Sequence, residues 1–191
     1  MKHIVKLLIT AAAVVPAIAQ AHHHSRPPKP ATYVGVEVTP YSVSNRFDDG
    51  FVHHEPSFSL IIGKEQKTGL ASRFAIEGEY KYIGKSESYK DDSNQSVTTS
   101  GQAFLVNVKP RYYFKNPEYH LSGIFGAGSF TADVSGAKQS NFAFQIGAEV
   151  GTRFDNGLDI TVGYKAFSSQ LKDLDETFMH HSVYSSLRYN F

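Results

Sequence analysis

The chain has 191 residues, no cysteine, 19 Lys plus Arg against 18 Asp plus Glu, and 25 rings from 11 Tyr and 14 Phe in a sequence only 41% hydrophobic. Without cysteine it can use neither disulfides nor a lipidated cysteine anchor, and a net charge of +1 gives no electrostatic case for nucleic acid as a partner. The length allows one folded domain.

The first element in chain order reads as an export signal. Lys2 and Lys6 stand ahead of and within the approach to an apolar run over 7–15, and Ala19-Gln20-Ala21 is a small-x-small cleavage site. The run is too short for a spanning helix, which needs ~20 residues. Cleavage after Ala21 removes two Lys and leaves 17 basic against 18 acidic residues, a charge of −1. Residues 22–30, rich in His and Pro, read as a flexible periplasmic leader. Residues 31–191 are the expected domain.

From Ala31 onward the apolar residues recur with period two, which is the mark of strands. The first strand, 32–41, sends Val34, Val36 and Val38 to one face. The second, 57–64, holds the continuous apolar run Leu60-Ile61-Ile62, and alternation leaves its facing open. In the third, Leu70, Ser72, Phe74, Ile76, Gly78, Tyr80 and Tyr82 oppose Arg73, Glu77, Glu79 and Lys81. The fourth sets Phe104, Val106, Val108, Tyr112 and Phe114 against Asn107, Lys109, Arg111 and Lys115. The fifth, 118–131, puts Tyr119, Leu121 and Phe125 on one face. In the sixth, Phe142, Phe144, Ile146, Ala148, Val150 and Phe154 oppose Gln145, Glu149 and Arg153. The seventh sets Leu158, Ile160, Val162 and Tyr164 against Asp159, Thr161 and Lys165. The eighth covers 181–191.

Connections sort by length. Residues 66–69, 116–118 and 155–157 carry hairpin-turn chemistry, whereas 42–56, 84–101, 133–141 and 168–179 are longer polar loops. Short and long alternate, as in a transmembrane barrel whose turns face the periplasm and whose loops face outside. Rings gather at both ends of the strands: Tyr33, Tyr112, Phe114, Tyr119, Phe154, Tyr189 and Phe191 at the periplasmic end, and Phe58, Tyr80, Tyr82, Phe104, Phe142, Phe144 and Tyr164 at the outer end. Two such girdles mark membrane interfaces. The expected fold is an all-β, eight-stranded antiparallel up-and-down transmembrane β-barrel.

The chain ends on Phe191, with Tyr189, Leu187 and Val183 two, four and eight residues before it and Ser185 interrupting the spacing. This ending resembles the C-terminal assembly signal of bacterial outer-membrane proteins. With the eight strands, 31–191 resembles the OmpA/OmpX-type small barrels, the opacity-like superfamily of outer-membrane β-barrel domains. The resemblance implies the Gram-negative outer membrane, with its lipids and lipopolysaccharide and the barrel-assembly machinery as partners.

Four constellations are candidates for function. Five acids (Glu37, Glu77, Glu79, Glu149, Asp159) and six bases (Lys81, Lys109, Arg111, Arg153, Lys165, Arg188) share the inward face. An eight-stranded barrel is only wide enough for side chains, so these charges must pair, either as a closed plug or as a narrow gated, porin-like pore. His53, His54, His180 and His181 fall in the first and fourth loop regions, which closure makes neighbours, and imidazoles suit Zn²⁺, Cu²⁺ or Ni²⁺. No metal or other cofactor is expected, because loop histidines need ordered partners to hold one. His180-x-Ser182 resembles the His-x-Ser pair of PagL-type lipid A deacylases, but no acid follows Ser182 to orient the pair; PagP-type palmitoyl transfer lacks its leading amphipathic helix. Finally, exposed loops, above all 84–101, suit a host or surface ligand. The expected function is therefore non-enzymatic: outer-membrane integrity and surface interaction or adhesion, with a small ion-conducting pore as alternative and a lipid A-modifying enzyme as a distant one.

Overall fold

A computed structural model describes residues 30–45, 51–89, 96–114, 119–134, 136–171 and 176–191. The expected export signal, most of the leader and the turn at 116–118 lie outside these residues. Nine strands follow one another with no helix among the described residues: β1 (Thr32–Asn45), β2 (Phe51–His53), β3 (Ser57–Lys67), β4 (Ser72–Tyr89), β5 (Ser96–Tyr113), β6 (Tyr119–Val134), β7 (Ala137–Arg153), β8 (Leu158–Leu171) and β9 (Glu176–Asn190). The eight long strands pair antiparallel in order, β1 with β3 and onward to β9, and β1 also pairs with β9, so they close into an up-and-down barrel. Closure leaves no open edge among them, which is what lets strands cross lipid. The short β2 is an addition: it folds back on the end of β1, with Val43 opposite His53.

Alternation decides the wall. Val34, Val36, Val38, Ile76, Phe104, Val106, Phe144 and Ile146 point outward and are exposed, while Glu37, Glu77, Glu79, Asn107, Lys109, Gln145 and Glu149 point inward and are buried. A wall this apolar is at home in lipid rather than water. The run Leu60-Ile61-Ile62 alternates after all. Leu60 is 51% and Ile62 60% exposed, whereas Ile61 is 4% exposed and packs inside against Tyr33 and Ala75. Tyr33 corrects the expected periplasmic girdle: it is one residue out of phase with Val34, so it points into the lumen and is fully buried. Tyr112, Phe114, Tyr189 and Phe191 do face outward at that end.

Strand ends differ from the expectation mainly at one end, although β3 also runs on to Lys67 at the other, past the expected Lys64. At the end holding Asn45, Tyr89, Val134 and Leu171 (the upper end below), the strands run far into what the sequence suggested were loops. β4 and β5 each have 18 residues, when ~9–11 suffice to cross a bilayer. Within the expected loop 133–141 the strands pair as far as Val134 opposite Ala137. β1 continues past Pro40 through a register shift between Val38 and Tyr41; a bulge is where a strand tolerates a residue with no N–H. β4 shifts register between Ile83 and Ser86, at Gly84, whose amide donates to Ser57 Oγ at 2.9 Å. A side chain at Gly84 would collide with the Glu55 carbonyl, so glycine is what lets the chain over 54–56 lie across β4. At the lower end Gly157, with φ +86°, supplies the left-handed turn after Asp155-Asn156.

Candidate functional site

The interior is the only concentration of chemistry that the fold assembles among the described residues. All eleven charges expected inside are there, each at most 3% exposed. Ten of them, all but Lys81, are joined by ion pairs into one connected web in the lower and middle lumen.

Glu149 on β7 is its hub. Arg188 on β9 grips it with two N–H groups at 2.7 and 2.6 Å, Lys109 on β5 donates at 3.0 Å, Arg111 at 3.3 Å, and the Tyr184 hydroxyl at 2.7 Å. Above it, Lys165 Nζ lies 2.5 Å from Glu37 and 3.0 Å from Glu79. Glu79 also accepts from Ser59 at 2.9 Å, Asn107 at 2.7 Å and Gln145 at 2.9 Å. Glu77 takes Lys109 at 3.2 Å and the Tyr33 hydroxyl at 2.9 Å. Below, Arg111 reaches Glu65 and Asp159, Arg153 grips Glu65 at 2.9 and 2.7 Å, and His120 Nε2 lies 3.0 Å from Asp159. Each carboxylate thus meets several donors. In a low-dielectric interior that is the condition for keeping it charged.

Several members of this web escaped the sequence reading. Glu65 was missed because the second strand was ended at Lys64 with its facing undecided; the parity of Ser59 and Ile61 identifies it. Tyr184 shares the parity of Arg188, and His120 that of Ser122, whose hydroxyl accepts from Arg111 at 3.0 Å. Arg73 was on the inward face but outside the expected network. It is buried too, and donates to the Gly69 and Ser72 carbonyls at 3.2 and 2.9 Å. With Glu65 and Arg73 counted, the buried charges are six acids and seven bases.

The upper lumen is of another kind. Ile83, Ala103, Leu105, Phe130, Ala132, Ala143, Phe167 and Phe178 form a continuous apolar cluster. Phe130 stacks on Phe178 with centroids 5.3 Å apart and meets Phe167 edge-on at 5.1 Å. Lys81 stands at the junction, its ammonium 6.0 Å from the Phe167 centroid. His54 caps the cluster. Its Nε2 pairs with Ser44 Oγ at 2.7 Å and its Nδ1 with the Gly84 carbonyl at 2.8 Å.

Of the four histidines, His54 and His180 come together and His181 does not join them. His54 and His180 meet edge-to-face in the upper lumen, centroids 5.0 Å apart. His181, one residue on, must face the other way; it lies outside, bonded to the Tyr164 hydroxyl at 2.6 Å. His53 sits on β2. Among the described residues no group of three or more potential ligands surrounds a common point. His180 and Ser182 do share the inward face, but Ser182 Oγ donates to the Lys165 carbonyl at 3.4 Å and the His180 ring stacks on Phe178. Val183, Leu187, Tyr189 and Phe191 line the outward face of β9 and its end.

These features agree with what known proteins show. Neisserial surface protein A (NspA) superposes with a TM-score of 0.52 at 15% identity, over 84% of this chain and 97% of that one. Ail, the attachment invasion locus protein of Yersinia pestis, does so with a TM-score of 0.50 at 15% identity, over 85% of this chain and 100% of Ail. Such identities speak for the fold alone. No curated protein matches the sequence. The profile of the family described as outer membrane protein beta-barrel domain, however, matches residues 8–191. The chain belongs to that family, and its place is the outer membrane of a Gram-negative cell.

Proposed function

We propose that the protein is a closed, non-enzymatic outer-membrane barrel that contributes to membrane integrity and meets surface ligands at its upper rim, which faces the cell exterior. The observation that carries this reading is the multiple pairing of the buried charges: Glu149 alone binds Arg188, Lys109, Arg111 and Tyr184. An ion entering the lumen would have to displace pairs whose partners would then be left buried and alone, at ~3–5 kcal/mol each. Above them it would meet the dry layer of Phe130, Phe167 and Phe178.

A non-enzymatic role is supported by the surroundings of His180-x-Ser182. The His180 ring contacts are to Phe178 and His54, and a nucleophile–base pair needs a hydrogen bond and an orienting acid. Surface interaction is supported by the upper strand extensions, which hold a rigid rim above the apolar wall. The outward apolar face of β9 suits recognition by the assembly machinery. The decisive experiment is single-channel recording of the refolded protein in planar bilayers. No conductance steps are expected; regular steps would replace the plug with the small-pore reading.

A further inference from the structure

The outer wall is not uniformly smooth. One register row of outward residues runs Val34, Ile62, Gly78, Val106, Ala127, Phe144 across β1, β3, β4, β5, β6 and β7. Between the ridges of Ile62 and Val106 the only outward group is Gly78, and the wall falls away into a groove of about 420 Å³ lined also by Leu60, Tyr80 and Phe104. An enclosed cavity of roughly 150 Å³ holds a benzene molecule, so this groove has room for a length of hydrocarbon chain. Tyr80 and Phe104 close it above, with centroids 5.0 Å apart. Over them come polar groups: Tyr80 donates to Gln102 at 3.2 Å, and farther up β4, past Tyr82 and the register shift, Lys85 stands exposed.

We propose that this groove holds one acyl chain of a phosphate-bearing lipid from the leaflet at the upper rim, its headgroup at Gln102 and Lys85. The groove is continuous with the lipid-facing wall, so a chain reaches it without leaving the bilayer. Lipid gives no hydrophobic drive toward any part of that wall, and packing decides where a chain dwells. On a flat strand face a chain is touched from one side. Over Gly78 it is touched from three, by Ile62, by Val106 and by the backbone floor, and each added atom pair adds its small dispersion gain.

The same geometry supplies the test. A Cβ at Gly78 would meet Ile62 Cγ2 at 3.6 Å, an ordinary contact, so Gly78→Leu fills the groove without forcing the wall apart. The full chain is refolded into vesicles containing a trace of phosphatidylethanolamine with a diazirine in its acyl chain, irradiated, and its adducts mapped by mass spectrometry. Labelling of Leu60, Ile62, Phe104 and Val106 is expected to exceed that of Ile146 by roughly fivefold, the effect of a handful of dispersion contacts. Ile62 and Val106 are each 60% exposed and Ile146 57%, so exposure alone predicts parity. Gly78→Leu should remove the excess, and Gly78→Ala should reduce it if the larger variant fails to refold. Equal labelling around the wall, an excess that survives filling of the groove, or a cross-linked dimer through these peptides would each overturn the proposal.

Discussion

The same eight strands build two barrels of opposite sense, one above the other. In the lower and middle part the outside is Val34, Leu60, Ile76, Val106 and Ile146 and the inside is Glu37, Glu77, Lys109 and Glu149. Beyond Tyr80 and Phe104 the pattern inverts on β5 to β8, where Gln102, Thr131, Ser140 and Gln170 face out, while Ile83, Phe130, Phe167 and Phe178 face in; on β1 and β3 the same register row still shows Val38 and Phe58 outside. The strands run on across the change, β1 and β4 through register shifts at Val38/Tyr41 and Ile83/Ser86. Where the wall meets lipid, apolar groups lose nothing by facing outward and the lumen becomes the place for polar ones. Where it meets water, burial of apolar area becomes a driving force again, and the interior turns into an ordinary aromatic core. The strands run past the bilayer because this second core supports them.

The two interiors should therefore fail differently. The largest effect is expected from Glu149→Ala, which leaves Arg188, Lys109 and Arg111 buried with fewer carboxylates than they need. A loss of ~3–5 kcal/mol is expected, read as a lowered urea midpoint of the compact, fast-migrating form in unheated gel electrophoresis. Near-neutral behaviour would mean that water reaches the web. Phe130→Ala comes next, at about 3 kcal/mol for a large buried ring. Its signature is local: amide hydrogen exchange should speed up in the upper parts of β5, β6 and β9 and stay slow around Glu149. If the lower strands also lose protection, the two cores are one cooperative unit and the comparison breaks.

How much of this was legible follows from the same inversion. Period-two alternation reads directly where lipid lies outside, so Val34, Phe104, Phe144 and Tyr164 and the inward Glu37, Lys109, Glu149 and Lys165 could all be assigned from sequence. Above the girdle the outward positions are Ser, Thr and Gln, the composition of loops, and the strands over 84–101 and 168–179 were read as loops for that reason. Polarity alone cannot separate a solvated strand face from a connection. Tyr33 departs from the expected girdle for a simpler cause: its height along β1 suits a girdle, but the parity of Val34 turns it inward. The Glu79 site draws on Ser59 and Asn107 from the two strands that flank β4 and on Gln145 from β7, which is not β4's neighbour. That β3, β4, β5 and β7 bring these groups to one carboxylate is a matter of barrel shear and side-chain reach, which periodicity does not carry.

The inversion itself can be tested at the surface. An arginine placed outward should report which solvent it meets. Val36 lies on the lipid-facing part of β1 and Ser140 on the upper part of β7, where its hydroxyl pairs with Thr131 at 2.7 Å. Val36→Arg puts a guanidinium into hydrocarbon, and ~2–4 kcal/mol of destabilisation is expected near the bilayer midplane. Ser140→Arg exchanges one exposed polar group for another and should stay within about 0.5 kcal/mol. Equilibrium unfolding of both variants in phospholipid vesicles measures the pair on one scale. Equal costs would place Ser140 in lipid too, and the upper core would lose its reason for being apolar. A wide gap between them locates the water line between the levels of these two residues.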